Sequence, residues 1–281
     1  LYNSVLITGA ASGIGEAIAV HLAHQGFKVF ASARSKDKLK SLTGLGGRRI
    51  SALALDVTDS ASIEAALAEI AAEGAPLFGL VNNAGVPAIG PLERATPEDW
   101  RKAFETNLFG LAAVTNAVLP QMRAAGRGRI VNIGSLTGRI VMPFQGVYAA
   151  SKHAVEGYTD ALRRELAPFG VKVSLIRPGA INTPFGAHEA ETLDQFETDE
   201  IYGDQVKIFK AWFEKQHPTA PGPNVVADAV HAALIADRPH SRYTAPAKMQ
   251  GALALRNLLP SAMTDRILAR VTGLNKFRKR R

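Results

Sequence analysis

The sequence predicts an α/β fold, a doubly wound parallel sheet of about seven strands flanked by helices in a single domain. Three observations lead there. Short apolar runs alternate with helix-length amphipathic segments along most of the 281 residues, the pattern of successive βαβ units. The runs are rich in Val, Ile and Leu without strict alternation, as strands are when helices cover both faces. The first run passes through a glycine-rich turn directly into a helix, the arrangement that brings backbone amides to a phosphate.

The strands are expected at Ser4–Thr8, Lys28–Ser32, Arg49–Leu55, Leu77–Val81, Arg129–Ile133 and Val171–Ile176, with a short last one near Arg242–Thr244. Helices are expected between them at Gly13–Gln25, Lys36–Leu42, Ser60–Ala72, Pro97–Ala125 and Val147–Phe169, and later at Asn224–Ala236. Thr96-Pro97-Glu98-Asp99 makes a strong start for the fourth helix: an N-cap threonine, proline at the first position and two acids in the first turn. No Gly/Ser linker, repeat or low-complexity block divides the chain. One unit over residues 1–245 is expected, with a lid at 185–215 and a helical extension with a basic tail at 246–281. In that extension Met263, Ile267, Val271 and Leu274 form one apolar stripe, which reads as a lid or packing helix or as a membrane-surface helix.

Composition narrows the function. Hydrophobic residues make up 47% of the chain, enough for a sizeable core. The absence of cysteine excludes disulfides, thiolate metal sites and cysteine nucleophiles. No apolar run reaches the roughly 18 residues that span a bilayer. The visible start reads as a strand rather than a signal peptide, so the expectation is a cytoplasmic protein. The net charge of +8 is concentrated at the end of the chain: Arg266, Arg270, Lys276, Arg278, Lys279, Arg280 and Arg281 follow one another with no acid between them. The body is nearly neutral, which argues against nucleic acid as a partner. The tail reads as a solvated terminus or as a contact for an anionic membrane or an acidic partner. Ala187–Gln205 carries seven acids and no Lys or Arg. It reads as a solvated lid face, with docking against the basic tail as a second reading. His21 and His24 have no further ligand at metal spacing, so no metal site is expected.

The chemistry centres on Tyr148 and Lys152, four residues apart and on one helical face. A cation beside a phenol lowers its pKa and makes it an acid or base near neutrality. Upstream, Gly9-Ala10-Ala11-Ser12-Gly13-Ile14-Gly15 joins strand to helix. Gly9 permits the tight turn, Gly13 the approach of a pyrophosphate, and Gly15 close packing of helix on strand.

Over residues 4–245 the chain resembles the short-chain dehydrogenase/reductase family, whose fold is of the Rossmann type. Thr8–Gly15 is similar to its T-G-x-x-x-G-I-G, Asp56-Val57 to its adenine-binding acid, and Asn82-Asn83-Ala84-Gly85 to its N-N-A-G motif. Asn107, Ser135, Tyr148 and Lys152 stand where the family has its catalytic asparagine, serine, tyrosine and lysine, and Arg177-Pro178-Gly179 with Thr183 resembles the segment that closes on the nicotinamide. The resemblance implies hydride transfer between a nicotinamide and a carbinol carbon. Tyr148 is then the general acid of reduction and the general base of oxidation. Lys152 lowers its pKa and binds the nicotinamide ribose, Ser135 bonds the substrate oxygen, and Asn107 positions a proton path from Lys152 through water. Cofactor contacts are implied for Gly9, Ser12, Gly13, Ile14, Gly15, Arg34, Ser35, Asp56, Val57, Asn83, Ala84, Gly85, Tyr148, Lys152, Pro178, Gly179, Ile181 and Thr183.

The second strand ends at Ala33-Arg34-Ser35, where an NAD enzyme wants a carboxylate for the ribose 2′-hydroxyl. Arg34 can instead pair with a 2′-phosphate, with Ser35 adding a hydroxyl. The expected cofactor is NADP(H), although many NADP members of the family carry Lys or Arg where this chain has Ser12; NAD(H) is the alternative. Leu136, Ile140, Val141, Met142, Phe144, Phe185, Phe196, Tyr202, Phe209, Trp212 and Phe213 offer an apolar wall that suits a lipophilic alcohol, aldehyde or ketone. A homo-oligomer is implied by resemblance. The rival readings are an isomerase or dehydratase on the same fold and a nucleotide-sensing protein without turnover.

Overall fold

A computed structural model describes residues 3–74 and 76–277. Arg278, Lys279, Arg280 and Arg281 of the basic tail therefore lie outside the described residues. The chain runs β1 (Ser4–Ile7), α1 (Gly13–His24), β2 (Lys28–Ala33), α2 (Lys40–Gly46), β3 (Ile50–Ala54), α3 (Ser60–Ala72) and β4 (Leu77–Asn82). It continues through α4 (Pro97–Phe104), α5 (Leu111–Ala124), β5 (Gly128–Ile133), α6 (Gly146–Leu166), β6 (Val171–Pro178), α7 (Pro184–Asp194) and α8 (Gly203–Gln216). Last come α9 (Asn224–Ile235), β7 (Arg242–Ala245), α10 (Gln250–Leu258) and α11 (Ser261–Thr272).

The strands form one seven-stranded sheet in the order β3-β2-β1-β4-β5-β6-β7, and every pairing is parallel. Neighbouring residues of one strand serve opposite faces. Val5 and Ile7 pack with Ile18 and Leu22 of α1 and with Val226, Val230 and Leu234 of α9. Leu6 turns the other way, toward Ile63 of α3, Val114 and Val118 of α5 and Leu162 of α6. The period-2 alternation is present in space but hidden in the sequence, because both sets are apolar.

Two predicted helices are subdivided. Lys36–Leu39 is a 3-10 turn whose N-cap Ser35 accepts the Asp37 amide at 3.3 Å, and α2 follows it. The predicted Pro97–Ala125 helix starts as expected, with a Thr96–Asp99 capping box, but Glu105–Gly110 between α4 and α5 is π-helical. An extra residue in a helix turn leaves backbone groups displaced, and such segments are frequent at functional sites. Asn107 lies inside this one.

Helix α6 is held to the sheet by buried polar contacts. Arg177 of β6 donates to Glu156 through Nε and Nη2, at 2.5 and 2.6 Å. Arg242 of β7 reaches Glu156 at 3.3 Å and Asp160 at 2.6 Å. On the other side, Asn82 and Asn132 are register partners in β4 and β5. Asn82 donates to Asn132 and to Thr115 of α5, and Asn132 donates to Thr159 of α6, each at 2.9 Å.

Glu156→Ala strands Arg177 in a largely buried position. Removing one partner of such a pair costs about 3–5 kcal/mol. Urea unfolding of the variant is expected to register a loss of that size; a change under about 0.5 kcal/mol, the range of ordinary surface substitutions, would mean that the network does not anchor α6.

Candidate active site

The site forms where the sheet reverses its winding. From β1 the chain winds toward β2 and β3 on one side, and β4 to β7 extend on the other. Such a switch point leaves a crevice beyond the carboxyl ends of the strands. Here it is a cavity of about 1220 Å³. Every sequence-predicted site residue lines it except Ser35 and Asn107.

At the nucleotide end, Gly9 takes φ +66°, a left-handed turn that favours glycine. A Cβ on Gly15 would sit 2.3 Å from the Gly9 carbonyl oxygen and 2.5 Å from Asn83 Nδ2, so the loop closes on α1 only because Gly15 has none. The Asn83 side chain locks this turn by donating to the Thr8 and Gly9 carbonyls at 3.0 and 2.9 Å. Ser12 caps α1 without a side-chain hydrogen bond, so it leaves the first-turn amides, which have no intrahelical acceptor, available to a ligand. Asp56 accepts from the Thr58 amide and hydroxyl at 2.9 and 2.8 Å through one carboxylate oxygen. Arg34 and Lys38 line the rim beyond β2. Sequence reading paired Arg34 with Ser35; the structure places Lys38, one 3-10 turn further on, in the wall instead, while the Ser35 hydroxyl caps its own turn. These groups fit a dinucleotide: amides that donate to the pyrophosphate, a carboxylate that accepts on the adenine side, and cations rather than an acid at the ribose position.

At the reacting end, Ser135 follows β5, accepts the Thr137 amide at 3.1 Å and hydrogen-bonds the Tyr148 side chain. Tyr148 and Lys152 project from the start of α6, and both are buried. Lys152 Nζ donates to the Ile133 carbonyl at 2.9 Å and stands 5.7 Å from the centre of the Tyr148 ring. Asn107 does not reach the cavity wall. Its Oδ1 accepts the Val86 amide at 2.8 Å, and its Nδ2 donates to the Val86 carbonyl and to Ser151 Oγ at 3.1 and 3.0 Å. Gly85 keeps the space between Asn107 and the lysine open: a Cβ there would lie 3.1 Å from Asn107 Oδ1 and 3.7 Å from Lys152 Nζ. Arg177, read with Pro178 and Gly179 as one cofactor segment, turns away to Glu156, and only Pro178 and Gly179 of that trio face the cavity.

The electrostatics correct one expectation. The Tyr148 phenol is pushed well above its ordinary range by burial, with the Glu189 charge adding to the rise and the Ser135 hydrogen bond opposing it. The expected lowering by Lys152 is not what governs it. Burial instead depresses the lysine itself to about 8.

Glu189 is the residue that sequence reading misplaced. Within an acidic run read as a solvated face, its side chain is buried and lines the cavity. Burial raises its carboxyl to about 8. Its place on the inner face of α7, four residues after Phe185, was the available signal. Other acids of the run are paired: Asp199 with Arg94 at 2.7 Å, and Asp194 and Glu197 with Lys210. Among the described residues, none of them pairs with Arg266, Arg270 or Lys276. Of the predicted apolar wall, Leu136, Ile140, Met142, Phe185, Trp212 and Phe213 face the cavity. Phe144, Phe196, Tyr202 and Phe209 belong to a small separate core with Ile89, Leu193 and Val206, and Val141 is exposed. Leu255 of α10 and Ile267 and Val271 of α11 also line the cavity, with His217 after α8. No helix among the described residues is long and apolar enough to cross a membrane.

A family model described as short chain dehydrogenase matches residues 3–194. An uncharacterized oxidoreductase of Escherichia coli K12, YbbO, is 36% identical over 95% of this chain and 94% of its own length. A rat protein named 17-beta-hydroxysteroid dehydrogenase type 6 is 35% identical over 94% of this chain and 87% of its own. Among solved structures, a closed form of serine dehydrogenase complexed with NADP+ aligns with TM-score 0.73 and 32% identity, covering 86% of this chain and 93% of that one. A short-chain dehydrogenase/reductase from Burkholderia phymatum in complex with NAD aligns with TM-score 0.78 and 26% identity, covering 91% and 93%.

The Glu189 carboxyl predicts a pH signature. Its pKa is raised from 4.5 to about 8 on folding, so between those values the native state holds a proton that the unfolded chain has released. The stability this contributes is present in full at low pH and is lost as pH rises through about 8. Urea unfolding of wild type and Glu189→Gln from pH 5 to 8 is expected to give a stability difference that falls with pH, by at most about 1.4 kcal/mol per unit. A difference independent of pH would contradict the buried carboxyl.

Proposed function

Because the chain belongs to the short-chain dehydrogenase/reductase family, an oxidoreductase family using nicotinamide dinucleotides, we propose that it interconverts a lipophilic alcohol and its ketone or aldehyde with NADP(H). The observation that carries this reading is the convergence of Ser135, Tyr148 and Lys152 on the cavity that the glycine loop also lines. When bound, the dinucleotide supplies or accepts the hydride at its nicotinamide ring. The protein manages the proton. In reduction, the Tyr148 phenol donates to the carbonyl oxygen as charge develops there, and Ser135 donates a hydrogen bond to the same oxygen. Lys152, held by the Ile133 carbonyl, lies close enough to stabilise the phenolate left behind. A phenol that keeps its proton at neutral pH favours the reductive direction, since oxidation begins from the phenolate. Asn107 acts one layer back, fixing α4–α5 to Val86 and to Ser151 beside Lys152.

The preference for NADP(H) rests on Arg34 and Lys38 at the rim and on Ala33, where an NAD enzyme would carry an acid. The lipophilic class rests on the wall formed by Leu136, Met142, Trp212 and Phe213. It agrees with the hydroxysteroid named for the rat relative. Residues of α10 and α11 complete the wall, so these two helices of the extension serve as part of the lid.

Tyr148→Phe is expected to lower NADPH-dependent reduction of lipophilic ketones by about 10²–10⁴-fold, the usual worth of a positioned acid, with NADPH binding retained. Full activity in the variant, followed by nicotinamide absorbance, would exclude this mechanism. Arg34→Ala should raise KM for NADPH roughly tenfold or more, about 1.4 kcal/mol, and change KM for NADH little. Equal changes for both cofactors would remove Arg34 from 2′-phosphate recognition.

A further inference from the structure

Helix α7 turns one face into the cavity through Phe185, Gly186 and Glu189. Phe185 and Glu189 are four residues apart and therefore neighbours on that face. The Phe185 ring centre lies 6.0 Å from that of Tyr148, so the Glu189 carboxyl belongs to the surroundings of the reacting group. The residue is only 7% exposed. Among the described residues it has no hydrogen-bond or ion-pair partner. Burying a carboxyl without a partner is costly; beside its apolar residues the cavity lining also holds Gln145, Gln216 and His217, the last bonded to the Thr183 carbonyl. The cations that line the cavity are engaged or elsewhere. Lys152 donates to Ile133, Arg34 and Lys38 lie beyond β2, and Lys248 and Arg256 belong to the segment after β7.

We propose that Glu189 is the substrate-recognition residue of this pocket, its carboxylate taking a protonated amine that the substrate carries next to the carbonyl or carbinol carbon. The substrate class is then a lipophilic amino ketone and its amino alcohol, the apolar body lying against Met142, Trp212 and Phe213. An ammonium suits the site better than a hydroxyl, because it brings a counter-charge as well as a donor. That counter-charge also lets the carboxyl, which burial holds protonated up to about pH 8, give up its proton when the amine binds. The inference rests on the reading of Tyr148 as proton donor given above.

The test uses three ketones with the same alkyl chain, bearing an amino group, a hydroxyl or hydrogen beside the carbonyl. Each is reduced with NADPH by wild type, Glu189→Gln and Glu189→Asp, with NADPH fluorescence reporting that the variants are folded. Wild type is expected to prefer the amino ketone. Glu189→Gln should lower the amino-to-plain ratio of kcat/KM at least tenfold, mainly through KM. Glu189→Asp should restore part of that ratio, and the hydroxy-to-plain ratio should move less than threefold. Ratios unchanged by Glu189→Gln, or an equal fall for the hydroxy ketone, would overturn the assignment. If wild type reduced none of the three, the parent reading would fail. Calorimetry with the matching amino alcohol would then decide the inference alone: binding lost in Glu189→Gln upholds it, and equal affinity in both proteins overturns it.

Discussion

The structure depends on one latch at the centre of the sheet. The Thr8 hydroxyl accepts the amides of Asn83 and Ala84, both at 3.0 Å, while the Asn83 side chain donates back to the carbonyls of Thr8 and Gly9. These bonds tie the end of β1 to the end of β4, the two strands between which the winding reverses. The glycine loop leaves one side of the latch and Gly85 leaves the other. From Gly85 the path runs through Val86 to Asn107, and from Asn107 to Ser151 beside Lys152. The nucleotide end and the reacting end are therefore connected by one chain of backbone and amide hydrogen bonds.

Helix α6 carries the second constraint. It must present Tyr148 and Lys152 at its first turns while remaining fixed to the sheet, and it does so by polar contacts further along. Glu156 and Asp160 take the arginines of β6 and β7, and Thr159 takes Asn132. Apolar packing alone would let the helix slide or rotate by small amounts at little cost, since such contacts are not directional. Hydrogen-bonded pairs specify one position. The proposed reaction needs that specificity, because in it the donors act on one oxygen atom.

Much of this was legible in the sequence, and the gaps have physical reasons. The order of apolar runs and the glycine loop give the fold, since they report local periodicity and backbone permissiveness. The candidate catalytic residues Ser135, Tyr148 and Lys152, which the fold brings to one cavity, could be named from spacing and resemblance. What the sequence did not reveal depends on distant partners. The π-helical segment at Glu105–Gly110 exists where Asn107 bonds Val86 across a separation of 21 residues, and no local pattern announces that. Glu189 looks like its acidic neighbours until α7 is docked on the cavity. The Tyr148 phenol was expected to be lowered by its lysine, yet burial raises it and depresses the lysine as well, and burial is set by tertiary packing that no local pattern shows. Lys38 escaped notice because a 3-10 turn, not an α-helix, follows Ser35.

The rims of the cavity differ in character, and they lie on opposite sides of the switch point. Arg34 and Lys38 stand beyond β2; Leu255, Ile267 and Val271 come from helices that follow β7 at the far edge of the sheet. The charged rim draws polyanions from a distance through the field of its cations. The other rim, with Leu255, Ile267 and Val271 about half exposed or less, offers a greasy threshold to molecules that shun water. One cavity thus carries a cationic edge at one end and an apolar edge at the other, so a ligand charged at one end and oily at the other would meet matching surfaces at both.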